Sequence, residues 1–342
     1  MIIDTIIRRN VLKLLLHKQV RSDQWWEYVD RQSKATAFHT PFMHDSLVRV
    51  PGIMPFALFA VDEDMRIVGM INGYKQRLFK IVPGCIGSRA VIMQAPLFDS
   101  AEVLDYLLKE YRKTYRRKIL YTEIRAHYDL SEYKDPLRSN KFYYEDHLNI
   151  IVDLNQSEDV LWSQVHTKRR NEIRKAQKSG LTVREINRDE FNYAYDILKE
   201  VYARAKLPLI DICFFEQCLA LESPRCRLAV FGAFNAEKIV GTMFTLMYKD
   251  TVYDFYAGSL VQYYHMNPND IIPWSVFIEG KKLGFTRFDF GGAGKPDVPY
   301  GVRDYKKKFG GSFVNYGRYM CTDYRIMFGL FKYAKRLVQK SK

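Results

Sequence analysis

Two stretches about 170 residues apart read as copies of one hairpin, and a chain built on such a repeat packs two similar units rather than one continuous core. The first copy runs Leu58-Phe59-Ala60-Val61, turns at Asp62-Glu63-Asp64 and returns as Arg66-Ile67-Val68-Gly69. The second runs Leu228-Ala229-Val230-Phe231-Gly232-Ala233-Phe234, turns at Asn235-Ala236-Glu237 and returns as Lys238-Ile239-Val240-Gly241. Each hairpin is later followed by a basic helix and a strand: Tyr111 to Lys118 before Ile119-Leu120-Tyr121, and Ile278 to Leu283 before Phe285 to Phe290. A length of 342 residues suits two ordinary domains. The boundary is expected near Ile150, giving domains over 1–150 and 151–320.

Between the repeats, strands alternate with helices, which predicts a layered α/β (α+β) fold rather than a bundle or a sandwich. Runs rich in aromatic and β-branched residues predict strands at 56–61, 66–75, 89–95, 118–125 and 147–153. In the second half they fall at 181–187, 226–234, 238–248, 251–257, 286–290 and 313–319. Apolar periodicity predicts helices over 22–34, 101–117, 157–178, 189–205, 211–221, 269–283 and 324–340. The polar stretch from His127 to Lys141, with Pro136 inside it, reads as a long loop.

The formal charge of +14 exceeds what solubility needs, so a polyanion is an expected partner. RNA, a nucleotide-linked sugar and anionic lipid headgroups satisfy it equally. Five cysteines without CxxC or Cys/His ligand spacing imply buried thiols in a reducing compartment, with neither disulfides nor zinc, and no metal or cofactor is expected. The apolar run Val11-Leu12-Lys13-Leu14-Leu15-Leu16 is too short to span a bilayer, and no stretch approaches about 18 uncharged apolar residues. These features predict a cytoplasmic protein.

No GxxxxGK, HExxH, GxSxG or strand–GxGxxG–helix motif is present, which removes the usual signatures of kinases, zinc hydrolases, serine hydrolases and dehydrogenases. The histidines are scattered, with no pair at metal spacing on one helix face. Within helix 157–178, Ser157 is a candidate N-cap, and Arg170, Arg174 and Lys175 belong to a basic stripe. Such a stripe is either a solvated face or a contact for donor phosphates. After strand 286–290, Gly291-Gly292-Ala293-Gly294 lets backbone approach a ligand. The following Tyr300-Gly301-Val302-Arg303-Asp304-Tyr305-Lys306-Lys307-Lys308-Phe309 interleaves cations with aromatic rings. That mixture suits a pyrophosphate or a developing oxyanion, and equally an exposed lysine run on a turn.

Four segments together resemble the Fem family of peptidyltransferases, which belongs to the GNAT-related acyltransferases. They are Arg169-Arg170-Asn171-Glu172-Ile173-Arg174-Lys175-Ala176, Tyr256-Ala257-Gly258-Ser259, Phe288-Asp289-Phe290-Gly291-Gly292 and Gly301-Val302-Arg303-Asp304-Tyr305-Lys306, within a resemblance extending from about Phe38 to Tyr319. The resemblance implies two tandem GNAT-like domains, each a twisted mixed sheet flanked by helices, with the C-terminal helix 321–342 packing back on the first. It implies amide formation, in which an amino acid passes from aminoacyl-tRNA to a UDP-linked or lipid-linked peptidoglycan precursor.

Carried over residue by residue, Lys306 matches a lysine that contacts the precursor phosphate, and Tyr305 stands where the family usually has phenylalanine. Tyr256 matches an aromatic lining the acceptor site, and Arg204, after Tyr202, matches an arginine that touches the precursor. Arg303 joins the substrate-binding set, while Asp304 and Asp289 are candidate bases. The chain departs from the family in lacking the long helical arm of several members. Arg66-Ile67-Val68-Gly69-Met70-Ile71 only approaches the acyl-CoA loop pattern of ordinary GNAT enzymes. Two alternatives remain at this stage: an N-acyltransferase using acyl-CoA or an acyl carrier protein on an amino sugar or amine, and a non-catalytic adaptor for RNA or a membrane surface. The helix over 324–340 is basic and amphipathic, so peripheral contact with an anionic membrane competes with simple core packing.

Overall fold

The computed structural model describes residues 11–79, 82–221 and 223–340, with side chains as far as residue 334. The chain divides into two units, one over 1–145 and 317–342, the other over 146–316.

Among the described residues the first unit begins with β1 (Lys13–Leu16), an edge strand that buries Leu15. α1 (Ser22–Arg31) and α2 (Pro41–Leu47) follow. Thr40 starts α2 by accepting the Met43 N–H at 3.2 Å, with Pro41 at the first helical position. β2 (Ile53–Val61) and β3 (Ile67–Arg77) form the long hairpin. β4 (Ser88–Ile92), β5 (Leu97–Phe98), α3 (Ala101–Tyr115) and β6 (Tyr121–Arg125) come next. The stretch read as a long loop contains a short helix, α4 (Lys134–Ser139), before β7 (Tyr143–Glu145). Pro136 falls in the first turn of that helix, where its missing N–H costs no hydrogen bond.

The second unit opens with β8 (Asn149–Asp153), so Ile150 lies inside a strand. The helix expected over 157–178 is two helices, α5 (Glu158–Gln164) and α6 (Thr167–Lys178). The break has a tertiary cause: the His166 N–H donates to the Lys308 carbonyl at 2.9 Å, and Gly310 packs against Gln164 where a Cβ would approach to 2.8 Å. β9 (Leu181–Glu185), α7 (Phe191–Arg204), α8 (Ile212–Ala220), β10 (Cys226–Asn235), β11 (Lys238–Tyr248) and β12 (Thr251–Ser259) follow. α9 (Pro268–Lys282) lays Ile271, Trp274 and Phe277 into the core, against Phe288 and Phe290 of β13 (Arg287–Gly292). The segment read as a cation-rich loop folds into α10 (Gly301–Lys307), and β14 (Ser312–Val314) ends the unit.

The strand expected at 313–319 is likewise two strands, because the backbone turns at Gly317, where φ is 70°. β15 (Arg318–Cys321) returns to the first unit and pairs with β6 and β7, and α11 (Arg325–Lys340) follows it.

The strand orders are β1-β2-β3-β4-β6-β15-β7 and β14-β8-β13-β12-β11-β10-β9. Read in opposite directions the two orders match, apart from β5, which pairs with β3 off the first path: each has antiparallel strands around a long hairpin, then one parallel pair, then two antiparallel strands. In each unit the strand beside the parallel pair is supplied from outside the local run, by β15 in the first and by β8 in the second. The hairpin echo extends to its irregularity. The register slips beside Val68 in one copy and beside Val240 in the other, immediately before Gly69 and Gly241. A Cβ on Gly69 would meet Val103 at 2.4 Å, and one on Gly241 would meet Ile272 at 3.1 Å, so in both units the glycine admits the covering helix. The expected α/β fold with two GNAT-like sheets is therefore the observed one.

Candidate active site

β12 and β13 run parallel for three register pairs only, Thr251 with Arg287, Val252 with Phe288 and Tyr253 with Asp289. β12 then continues along β11, with Phe255 bulged out between the Thr245–Asp254 and Phe244–Tyr256 pairs. β13 turns away through Gly291, whose φ of 70° belongs to the left-handed region. The strands part, and Asp254 and Phe290 are the first residues on the two sides of the gap.

α10 delivers Lys306 into this gap. Its ammonium donates to the Phe290 carbonyl and lies 3.1 Å from Asp254 Oδ2, with the two side chains 15% and 9% exposed. An ammonium has three donors, so one N–H remains for another acceptor. Asp289, buried on β13, accepts the Gly291 N–H at 2.7 Å. Burial raises the Asp289 pKa and Asp254 adds to the rise, against the Gly291 N–H, Arg287 and Lys306. Two carboxylates and one ammonium thus share a poorly hydrated space.

Aromatic side chains border it. The Tyr202 and Tyr256 rings lie 5.4 Å apart, and α7 reaches β12 closely because Gly258 leaves room for Val201. Burial raises the Tyr202 hydroxyl pKa, with Asp254 and Tyr256 contributing in the same direction. Tyr300 stacks on Gly294, where an added Cβ would fall 3.1 Å from its ring. The cluster is assembled from α7, β12, β13 and α10, all within the second unit.

The equivalent place in the first unit is filled. Beyond the last parallel pair of β4 and β6, His127 Nδ1 accepts the Ala95 N–H at 3.2 Å and His39 Nε2 meets the Ala95 carbonyl at 2.8 Å. The Tyr128 hydroxyl donates to the Pro96 carbonyl. Histidine and tyrosine side chains bond the backbone at that place, whereas in the second unit Lys306 does so at Phe290.

The remaining expected site residues are dispersed. Arg204 donates to the Tyr264 hydroxyl at 2.7 Å and lies 3.6 Å from Glu200. Arg303 pins the preceding loop through the Lys295 and Val298 carbonyls, at 2.5 and 2.8 Å. Asp304 is exposed on α10. Tyr305 is engaged in packing: Arg169 stands 4.6 Å over its ring, Phe309 lies against it, and its hydroxyl donates to the Asn269 carbonyl. Arg170 donates to Thr167 at 3.3 Å, Arg174 stacks 5.2 Å over Trp162, and Lys175 is exposed, all along α6.

The residue the sequence reading missed is Asp254. Its signal was present, since it is the lone charged residue of β12 amid Tyr253, Phe255 and Tyr256. A buried carboxylate beside an ammonium can accept a proton, and an ammonium can hold a developing oxyanion, so the pair has the parts of acyl transfer to an amine. Among the described residues no group of His, Cys, Asp and Glu gathers to hold a metal ion.

Two units of this strand order, each with a parallel pair at its centre, define a tandem GNAT-like acyltransferase fold. Residues 164–307, which include Asp254 and Lys306, match the family described as an acetyltransferase (GNAT) domain. The crystal structure of FemX has a similar fold, at a TM-score of 0.72 and 13% identity over 93% of this chain and 99% of that one. The L-PGS structure from Bacillus licheniformis is similar at a TM-score of 0.61 and 12% identity, over 94% and 97% of the two chains. A tandem GNAT protein from the clavulanic acid biosynthesis pathway is similar at 0.54 and 10%, over 91% and 98%. No curated protein matches the sequence. At these identities the likeness is one of fold, and it is the Fem-type, GNAT-related acyltransferase fold. No helix among the described residues is long and apolar enough to cross a membrane.

Proposed function

We propose that this chain is an aminoacyltransferase of the Fem type, moving an amino acid from aminoacyl-tRNA to the peptide amine of a UDP-linked or lipid-linked peptidoglycan precursor. The observation that carries the reading is the Lys306–Asp254 pair held in the gap between β12 and β13. The acceptor amine, deprotonated, attacks the ester carbonyl of the donor. The tetrahedral oxyanion collapses to an amide and expels the ribose hydroxyl. Asp254 takes the amine proton, directly or through Asp289, and returns it to the departing ribose oxygen, while Lys306 balances the oxyanion. Tyr202, Tyr256 and Tyr300 border the acceptor, while Arg170, Arg174 and Lys175 offer donor phosphates a cationic helix face. The reaction needs no metal or cofactor, because the ester is already activated.

The match to an acetyltransferase (GNAT) domain favours a second reading, in which acyl-CoA or an acyl carrier protein supplies the acyl group to an amino sugar or amine. The L-PGS likeness and α11 also admit an acceptor at an anionic lipid surface. A mass-spectrometric transfer assay separates these readings. Charged tRNAs and acyl-CoAs are offered separately with UDP-linked precursor, lipid-linked precursor and phosphatidylglycerol. Amide formation from tRNA on a precursor, lost in Lys306→Met, supports the proposal. Transfer only from acyl-CoA, or only to phosphatidylglycerol, replaces it.

A further inference from the structure

The first unit carries a second concentration of charge, far from the composition of an ordinary sheet face. On β6, Tyr121, Glu123 and Arg125 alternate and so point to one side. The register sets Arg89 of β4 beside Tyr121, and Arg318 of β15 beside Arg125. Three guanidiniums therefore stand near a single buried carboxylate, and two of them bond it. Arg125 Nε lies 2.7 Å from Glu123 Oε1, and Arg318 Nη1 lies 3.0 Å from Glu123 Oε2. Arg89 is tied instead to Gln76, at 3.0 and 2.8 Å, and to the Tyr121 hydroxyl at 3.3 Å.

These bonds leave donors over. Among the described residues, both terminal nitrogens of Arg125 and the Nε and Nη2 of Arg318 have no protein acceptor. The two side chains remain 39% and 27% exposed, so the free donors are reachable from solvent. The neighbouring charges do not cancel the excess. Glu145, beside Arg318 in the register, is paired with Lys332 of α11. Counting Arg89, Arg125, Arg318 and Lys332 against Glu123 and Glu145 leaves a formal charge of +2. The electrostatics show the same imbalance: burial and the crowding of Arg125 and Arg89 hold Arg318 below the usual guanidinium range, despite Glu123. Burial would raise the Glu123 carboxyl, yet Arg125 and Arg318 overcome it and bring it down to about 2.

We infer that this sheet face is an oxyanion-binding site, formed by Arg89, Arg125 and Arg318 and matched to a doubly charged phosphoryl group. Planar guanidiniums present paired N–H donors with the spacing of phosphate oxygens, and a dianion would neutralise the cluster. Glu123 has two roles here: it orients Arg125 and Arg318 from below, and it competes with the ligand. The site is independent of the transfer chemistry proposed for the second unit.

Titration calorimetry on the full chain, at fixed ionic strength, tests this with inorganic phosphate and pyrophosphate as separate probes. Arg125→Gln and Arg318→Gln should each weaken binding at least about tenfold, the loss of one charge-assisted bidentate contact. Glu123→Gln should tighten it, because the competing carboxylate is gone. Exposed Lys134→Gln on α4 should change nothing. If melting curves show that Arg125→Gln or Arg318→Gln does not fold, Arg89→Gln decides, since Arg89 does not touch Glu123. Phosphate binding with pyrophosphate no tighter narrows the ligand to a single phosphoryl group. Absence of binding by either probe overturns the inference. So does an affinity that survives in the arginine variants, or that falls equally in Lys134→Gln.

Discussion

The Lys306 ammonium lies 3.1 Å from the Asp254 carboxylate at the point where β12 and β13 separate. Its other contact is the Phe290 carbonyl on the opposite side of the gap. A lysine that touches both sides cannot be removed without leaving a buried carboxylate alone. Lys306→Met should therefore lower turnover by about 10²–10³ and cost on the order of 1–3 kcal/mol of stability. Steady-state kinetics and chemical denaturation of the same preparations check the two effects. Unchanged turnover in a destabilised variant would assign Lys306 to structure alone.

Asp254 and Asp304 offer the sharpest contrast between a buried and an exposed carboxylate. Asp254→Asn should reduce kcat by about 10²–10⁴, as removal of a base does, which steady-state kinetics check. Asp304→Asn, on the exposed side of α10, should alter kcat by less than about twofold, within the range of surface substitutions. The reverse ranking would restore Asp304 as the base.

Asp270 makes a prediction about pH and stability. Buried beside Arg169 and Glu172, it is pushed up to about 6 by burial, in spite of the Arg169 guanidinium. A carboxyl whose folded pKa lies above the unfolded value of about 3.9 binds its proton more tightly in the folded state. Its contribution is complete below pH 4 and is lost as the pH rises through about 6. Denaturation midpoints between pH 4 and 7 should show this loss, on the order of 1–3 kcal/mol, and Asp270→Asn should flatten it. An equal slope in the variant would place the titration elsewhere.

α11 divides its apolar residues between two faces. Phe328 and Phe331 pack on Tyr121, with ring centres 4.8 and 5.7 Å away. Ile326 and Leu330 are 83% and 65% exposed. Phe328→Ala should cost about 3–5 kcal/mol, as loss of a packed aromatic does. Ile326→Ser with Leu330→Ser should leave the melting temperature within a degree or two, the usual range for surface changes of under about 0.5 kcal/mol. If α11 meets anionic lipid, the same double variant should sediment less with phosphatidylglycerol vesicles. Equal sedimentation would confine the helix to packing.

Much of this was readable along the chain because it depends on local pattern. Strand and helix periodicity marked the hairpins over 58–69 and 228–241. Lys306 entered only through the family resemblance of the segment from Gly301 to Lys306. The division of the 157–178 helix was not readable, since it rests on the Lys308 carbonyl capturing the His166 N–H across the fold. Nor was the pairing of Asp254 with Lys306, or the packing of Tyr305 beneath Arg169. Periodicity records which side of an element avoids water, a property of neighbours in sequence. Which carboxylate meets which cation depends on where a ladder stops and a bulge begins. Those are properties of strands brought together from distant parts of the chain, and only packing settles them.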